Sequence, residues 1–443
     1  MNIDPSACPP IVLVILDGLG DRASDPLEGR TPSEAAHTPV LDALTRRGEN
    51  GVLVPFGPGR ATSSEVSHWS LFGFESVAFA GRAALEALGV GQDPPAATPL
   101  FHLALRACEV RDGKLWLGAR AHRGDDVVDA AALFESLDGR TVDGIAYRLL
   151  PLRTGECVLV AEGAPTHAVS DSDALFDTLH PWMRPQPLPE APDPAQAARV
   201  AASLERWLLE SRQRLVAHPV NHRRRREGRT VLDVAVTKWA SWIDPAMPDF
   251  EARTGLRGGA VTDTALYRGF ARLLGLQMTD RAYDAADPGG DMRARLALAG
   301  ALLESCEFVH VHIKATDEAG HSKNPAHKRD VIEAVDAGLA PLLTLCERAV
   351  VAVTGDHATP SVGPLLHSGD PTPFVVAGPG VRPDAVSAFG EQWMLGGALG
   401  RLAAGDVLPL LAGHANRPFF LGHRPGPCAS VALPGRPDAM PPY

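Results

Sequence analysis

Three short segments place a carboxylate directly behind an apolar run. Asp17 follows Ile11 to Leu16. Asp317 and His321 lie in Lys314-Ala315-Thr316-Asp317-Glu318-Ala319-Gly320-His321, behind Phe308 to Ile313. Asp356 and His357 follow Ala349 to Val353, and His367 comes soon after, in His367-Ser368-Gly369-Asp370. If the apolar runs are parallel strands of one sheet, their carboxyl-terminal loops share an edge, and donors remote in sequence converge there. A mixed Asp and His set without thiolate suits manganese, zinc, cobalt or magnesium and leaves coordination positions open. The set is large enough for two divalent ions, which about 3.5–4 Å apart stabilise both the attacking and the leaving oxygen of an in-line displacement. Taken singly, each residue has an ordinary reading: a strand-end Asp caps a turn or helix, and a lone His packs in a core. Their joint placement is the signal.

A nucleophile for such a displacement is offered by Thr62-Ser63-Ser64-Glu65-Val66-Ser67-His68, which follows the Gly57-Pro58-Gly59 turn. A hydroxyl at the start of a helix lies among free backbone N–H groups at the positive end of the dipole, where a phosphate settles. Serine needs a metal or a base to become nucleophilic at neutral pH. Spacing leaves Thr62, Ser63 and Ser64 as equal candidates.

The elements that must position these residues are readable in outline. Ile11 to Gly20 is a continuous apolar strand ending in Asp-Gly-Leu-Gly, the form of a buried parallel strand meeting a ligand loop. Thr38-Pro39 opens a helical pattern that Gly48 closes. After about residue 250 the rhythm returns, with helices predicted at Ala265–Leu274, Met292–Leu303 and Asp330–Leu345 and strands at Phe308–Ile313 and Ala349–Val353. This predicts an α/β fold built on a doubly wound, mainly parallel sheet. Between the two stretches the texture changes to short alternating segments, a proline-dense run from Pro181 to Pro194 and a long amphipathic helix at Ala195–Val216. The expectation is a core of residues 1–96 and 246–443 carrying an inserted, smaller α/β cap of residues 97–245, with an irregular tail after Arg424.

Composition narrows the function classes. The formal net charge of -11 disfavours binding to a nucleic-acid backbone, which needs a basic face. Arg223 to Arg226 form the exception and read as a solvated helix end ahead of Gly228. No apolar stretch reaches the roughly 18 residues of a membrane span, and the N-terminal apolar run lacks a basic flank, so no membrane partner and a cytoplasmic location are expected. The six cysteines show no CxxC or metal-ligand spacing and are expected to be reduced packing residues.

At this point the motifs resemble a known family. Ser64-Glu65-Val66-Ser67-His68, Leu71-Phe72-Gly73, Gly81-Arg82 with Glu86-Ala87-Leu88-Gly89, Val169-Ser170-Asp171-Ser172-Asp173, His218-Pro219-Val220-Asn221, Lys314 through His321 and His367-Ser368-Gly369-Asp370-Pro371 occur in the order seen in cofactor-independent phosphoglycerate mutases of archaeal type, members of the alkaline phosphatase superfamily. The resemblance implies an alkaline phosphatase-like core. It implies that Ser64 is the residue phosphorylated and that Ser64, Asp17, Asp356 and His357 hold one ion while Asp317, His321 and His367 hold the other. It further implies a small phosphorylated substrate met by Lys314, Arg82, Asp171, Asp173 and Lys238, with a phosphoserine returning the phosphoryl group to a neighbouring hydroxyl so that 3- and 2-phosphoglycerate interconvert.

The cap departs from the pattern. Its first strand, Phe101 to Val110, offers His102 and Arg106 where similar chains carry Arg and Asn, and Thr237-Lys238-Trp239-Ala240-Ser241 stands where they carry Arg-Gly-x-Gly. Lysine lacks the planar fork of a guanidinium. A mutase or phosphatase for another phosphorylated or phosphonylated molecule therefore stands beside the phosphoglycerate reading, and an inactive homologue serving as a binding subunit is the reading from another class. Metal identity and oligomeric state stay open.

Overall fold

The computed structural model describes residues 8–122, 124–152, 155–173, 180–420, 430–431 and 440–442. They form two compact units: Met1–Phe79, Pro248–Thr264 and Leu273–Tyr443, so far as described, and Ala80–Met247 with Ala265–Arg272.

The first unit is built on an eight-stranded sheet in the order Gln277–Asp280, Gly258–Thr262, Phe308–Ile313, Ile11–Leu16, Val350–Thr354, Thr372–Ala377, Glu49–Leu53, Gly400–Leu402. Thr372–Ala377 runs antiparallel to both neighbours, and the other pairings are parallel, as the reading of a mainly parallel α/β sheet requires. Every residue of Ile11–Leu16 is buried, because helices cover both faces of the sheet and leave no polar side to alternate with. Val12, Val14 and Leu16 pack with Leu41, Met292, Leu296, Ile332 and Val335 in one continuous core. Ile11–Leu16 lies between Phe308–Ile313 and Val350–Thr354, in register with both, so all three strands end at one edge.

Several boundaries differ from expectation. The helix expected over Asp330–Leu345 is two, Pro325–Gly338 and Leu342–Leu345, because Pro341 lacks the N–H that a continuous helix would need there. The helix expected over Met292–Leu303 spans Pro288–Leu302, with Asp287 accepting from the Gly290 N–H as its cap.

The second unit contains a seven-stranded, antiparallel sheet ordered Arg140–Val142, Ile145–Pro151, Cys157–Glu162, Leu100–Arg111, Lys114–Arg120, His180–Pro181, with Val234–Ser241 also paired to Leu100–Arg111. The long helix Pro194–Ala217 lays Val200, Leu204, Trp207, Leu208 and Leu215 on it. Ala265–Arg272 belongs to this unit because its helix and Arg82–Gly89 approach so closely that a Cβ on Gly269 would lie 1.9 Å from the Leu85 carbonyl oxygen, and one on Gly89 1.7 Å from that of Ala265.

The arginine run closes its helix with Arg223, Arg225 and Arg226 exposed, as the solvated reading has it, and departs from that reading at Arg224. All four residues lie inside the helix Pro219–Arg226, and Arg224 is buried, donating to Asp126 Oδ1 at 2.7 Å, Asp129 Oδ2 at 2.8 Å and the Thr230 carbonyl at 2.6 Å. At helical spacing one residue of such a run must face the body of the protein. Cys8, Cys108, Cys157, Cys306 and Cys346 are free thiols, Cys428 and most of the expected irregular tail lie outside the described residues, and no described helix is long and apolar enough to cross a membrane.

Candidate metal centre and nucleophile

The loops behind the three central strands bring together residues that are hundreds of positions apart. Asp17, Asp356 and His357 each offer a ligand atom within 4.8 Å of the others, and Asp317, His321 and His367 form a second such group. The groups are neighbours. The rings of His357 and His367 stack with centroids 3.9 Å apart, and Lys314 Nζ lies 2.8 Å from Asp17 Oδ2 and 2.7 Å from Asp317 Oδ2. Thr359 Oγ1 donates to Asp317 Oδ1 at 2.7 Å and lies 3.3 Å from His357 Nδ1.

The loop conformation is set by local chemistry. Gly18 adopts φ +61, and a Cβ there would lie 2.4 Å from Thr359 Oγ1 and 2.8 Å from Asp317 Oδ1, so the sharp turn that follows Asp17 admits only glycine. The Gly18 N–H donates to Asp356 Oδ1 at 3.0 Å, which joins the first loop to the third. Asp317 and His321 are four residues apart on the helix Ala315–His321, hence on one face.

Ser64 is the first residue of the helix Ser64–Leu71. Its Oγ lies 3.0 Å from His357 Nε2 and 3.5 Å from Asp17 Oδ1. Ser63 is the N-cap without a side-chain cap bond, and the Thr62 carbonyl meets His367 Nδ1 at 2.8 Å. Of the three hydroxyl residues that spacing left equal, Ser64 is the one whose hydroxyl contacts the first group.

The electrostatics are those of a crowded anionic pocket. Burial by itself would raise the Asp17 carboxyl, but the Lys314 ammonium and His312 together outweigh it and hold the group well below the usual carboxylate range. Burial likewise opposes ionisation of Asp317, and bonds from His321 and His367 overcome it. Asp356 has less help. Burial, then the nearby Asp17 charge, pushes it up to about 6, and its Oδ2 is buried without a hydrogen-bond partner, 3.5 Å from His68 Nδ1 and 3.4 Å from His357 Nε2. Burial pushes His357 down to about 3, so it is neutral and keeps a ring lone pair. An unsatisfied carboxylate oxygen, a neutral imidazole at His357 and closely spaced anions fit a cation.

A profile of the metalloenzyme superfamily matches residues 9–412. The 2,3-bisphosphoglycerate-independent phosphoglycerate mutase of Thermococcus gammatolerans is 32% identical over 410 residues, covering 92% of this chain and 97% of that protein, and that of Thermoplasma volcanium is 35% identical over 411 residues at the same coverage. The chain belongs to the cofactor-independent phosphoglycerate mutase family. Two solved structures are similar throughout: the family member from Thermoplasma acidophilum, with a TM-score of 0.64 and 30% identity over 92% of this chain and all of that one, and a protein from Pyrococcus horikoshii, with a TM-score of 0.74 and 29% identity over 92% and 98%. Membership of this metalloenzyme family accords with divalent-metal use.

The remaining residues expected at the site lie in the second unit. Asp173 Oδ1 accepts from Arg106 Nη1 at 2.9 Å and meets His180 Nε2 at 3.0 Å, while its Oδ2 faces Lys238 Nζ at 3.0 Å. Asp171 Oδ1 accepts the Trp239 N–H at 2.9 Å. The guanidinium of Arg82 lies 4.2 Å over the Trp239 ring and donates to Glu86 at 3.0 Å. Trp239 has φ +54, a left-handed conformation uncommon for a residue with a Cβ.

Sequence reasoning passed over His312, Asp263, Thr359 and Lys328. His312 sits two residues from His310 in a strand otherwise apolar, and polar residues at that period in a fully buried strand are the signal that was available. Lys328 lies in the first turn of the helix Pro325–Gly338, and nothing local marks it.

Proposed function

We propose that this chain is a two-metal phosphomutase that works through phosphoserine at Ser64 and interconverts 3- and 2-phosphoglycerate. The observation that carries the reading is the contact of the Ser64 hydroxyl with His357 and Asp17 beside a second ligand group. Asp17, Ser64, Asp356 and His357 would hold one divalent ion and Asp317, His321 and His367 the other. Manganese and zinc suit the donor set, with cobalt and magnesium as alternatives. Ions bound there supply charge neutralisation for the phosphoryl oxygens and favour the alkoxide of serine.

The chain's own residues do the rest. Ser64 Oγ forms the bond to phosphorus as the ester oxygen of the substrate leaves, and the first turn of Ser64–Leu71 directs its N–H groups toward the incoming charge. Lys314, already shared by two carboxylates, is placed to exchange one of them for a phosphate oxygen. We further propose that Ala80–Met247, close to the inserted segment read from sequence, is the cap that selects the substrate, with Arg82, Asp171, Asp173 and Lys238 in its recognition surface. The phosphoryl group then returns from phosphoserine to the neighbouring hydroxyl of the retained alcohol.

The strained Trp239 and its stack on Arg82 favour a second reading, in which the same chemistry serves a different small phosphate or phosphonate ester. Phosphorus NMR separates the readings. Purified protein with manganese and 3-phosphoglycerate yields a 2-phospho signal if the first is right. Free phosphate alone makes it a phosphatase, and an unchanged spectrum points to another substrate. A Ser64→Ala variant should lose turnover by about three orders of magnitude or more. Full activity in that variant removes Ser64 from the mechanism.

A further inference from the structure

Asp17 has two oxygens with different surroundings. Its Oδ1 faces Ser64 Oγ at 3.5 Å and His357 Nε2 at 3.4 Å, whereas its Oδ2 faces His312 Nε2 at 3.0 Å and Lys314 Nζ at 2.8 Å. The two partners of Oδ2 are unlike. Lys314 is a flexible, partly exposed ammonium shared with Asp317, while the His312 side chain is fully buried and its other nitrogen, Nδ1, lies 3.3 Å from Asp263 Oδ2. Both ring nitrogens thus point at carboxylates, which fixes the plane of the imidazole. Asp263 is in turn approached by Arg295 Nη1 at 3.7 Å, and Arg295 Nε donates to Asp291 Oδ2 at 2.8 Å, with all these side chains buried.

The line of contacts crosses the sheet edge in an orderly way. Asp263 follows Gly258–Thr262, His312 belongs to Phe308–Ile313, and Asp17 follows Ile11–Leu16, three adjacent strands. Burying two carboxylates and an imidazole there is costly where packed apolar side chains would serve the fold as well. We propose that His312, braced by Asp263, is the positioning residue that reserves Asp17 Oδ2 for itself and so presents Oδ1 alone to the ion beside Ser64. This rests on the assignment of Asp17 as a ligand. Lys314 is the partner that can leave for an arriving anion, and His312 is the one that stays. Outer partners of this kind orient ligands and raise metal affinity, and removing one typically costs about 10–100-fold.

The test is manganese binding by isothermal titration to wild-type protein and to His312→Gln, Asp263→Asn and Asp17→Asn variants, with circular dichroism to verify folding. The isosteric Asp263→Asn keeps the experiment decisive should a His312 variant not fold. His312→Gln and Asp263→Asn are expected to weaken one class of site about 10–100-fold, leave the other class unchanged and lower kcat with little change in KM. Wild-type binding at both classes, or equal loss at both, overturns the proposal. Asp17→Asn should abolish the affected class, and if it retains both classes the ligand assignment itself fails and the inference falls with it.

Discussion

The turn at Gly18 shows how one residue's backbone controls the site. Its φ of +61 is poorly accessible to residues with a Cβ, and the Cβ of alanine would lie 2.4 Å from Thr359 Oγ1, the hydroxyl that donates to Asp317. Gly18→Ala is therefore expected to cost about 1–3 kcal/mol in urea unfolding and to weaken metal binding as well, since Asp17 and Asp317 must both move. A variant with unchanged stability and affinity would show that the loop relaxes freely. The residues of the two candidate ligand groups were legible from sequence because all but His367 stand directly behind an apolar strand or in the helix that follows one. Their division into two groups was legible only by resemblance, since no spacing rule says which loop tips touch.

At the scale of elements, Lys328 ties the helix Pro325–Gly338 to the loops that carry the site. Its buried ammonium donates to the carbonyls of Gly18 at 2.8 Å, Gly20 at 3.0 Å and Thr359 at 2.8 Å and pairs with Asp21 at 3.0 Å. Replacing it by methionine leaves Asp21 buried without that cation and three carbonyls short of a donor. Lys328→Met should lose about 3–5 kcal/mol in urea unfolding, and a loss below 1 kcal/mol would mean the loops hold themselves. No sequence pattern announced this residue, because its partners are main-chain groups of two remote loops. The three central strands, in contrast, were readable, Phe308–Ile313 and Val350–Thr354 to within a residue and the first, expected over Ile11 to Gly20, ending at Leu16, since burial on both faces demands continuous apolar runs; the other five strands of the sheet are shorter or less continuously apolar and were not read.

For the whole molecule, two measurements of stability follow. Metals that bind the folded chain alone stabilise it by mass action, by about 2.7 kcal/mol at a hundredfold excess over Kd, so chelation should lower Tm and added manganese restore it. A Tm indifferent to chelation would argue against structural coupling of the ions. The second concerns Glu391, which burial pushes up to about 7 against an ordinary value of 4.5, although Thr31 Oγ1 donates to it. A carboxyl raised in the fold favours its protonated form, so its stabilising share is complete below 4.5 and is lost as pH rises through about 7. Glu391→Gln should flatten the stability profile between about pH 4.5 and 7, and an unaltered slope would assign that pH dependence elsewhere.

The sequence by itself determined the three central buried strands, the chemistry of their loop residues and the family, because hydrophobic period and residue type are local and survive without coordinates. Tertiary structure decided that Ser64, which spacing left equal with its neighbours and resemblance singled out, contacts Asp17 and His357, and it alone decided that Arg224 turns inward to Asp126 and Asp129 and that His312 stands between two carboxylates. Those outcomes depend on which atoms meet across a sheet edge or a packed interface, and contacts between residues remote along the chain leave no mark on the spacing within it.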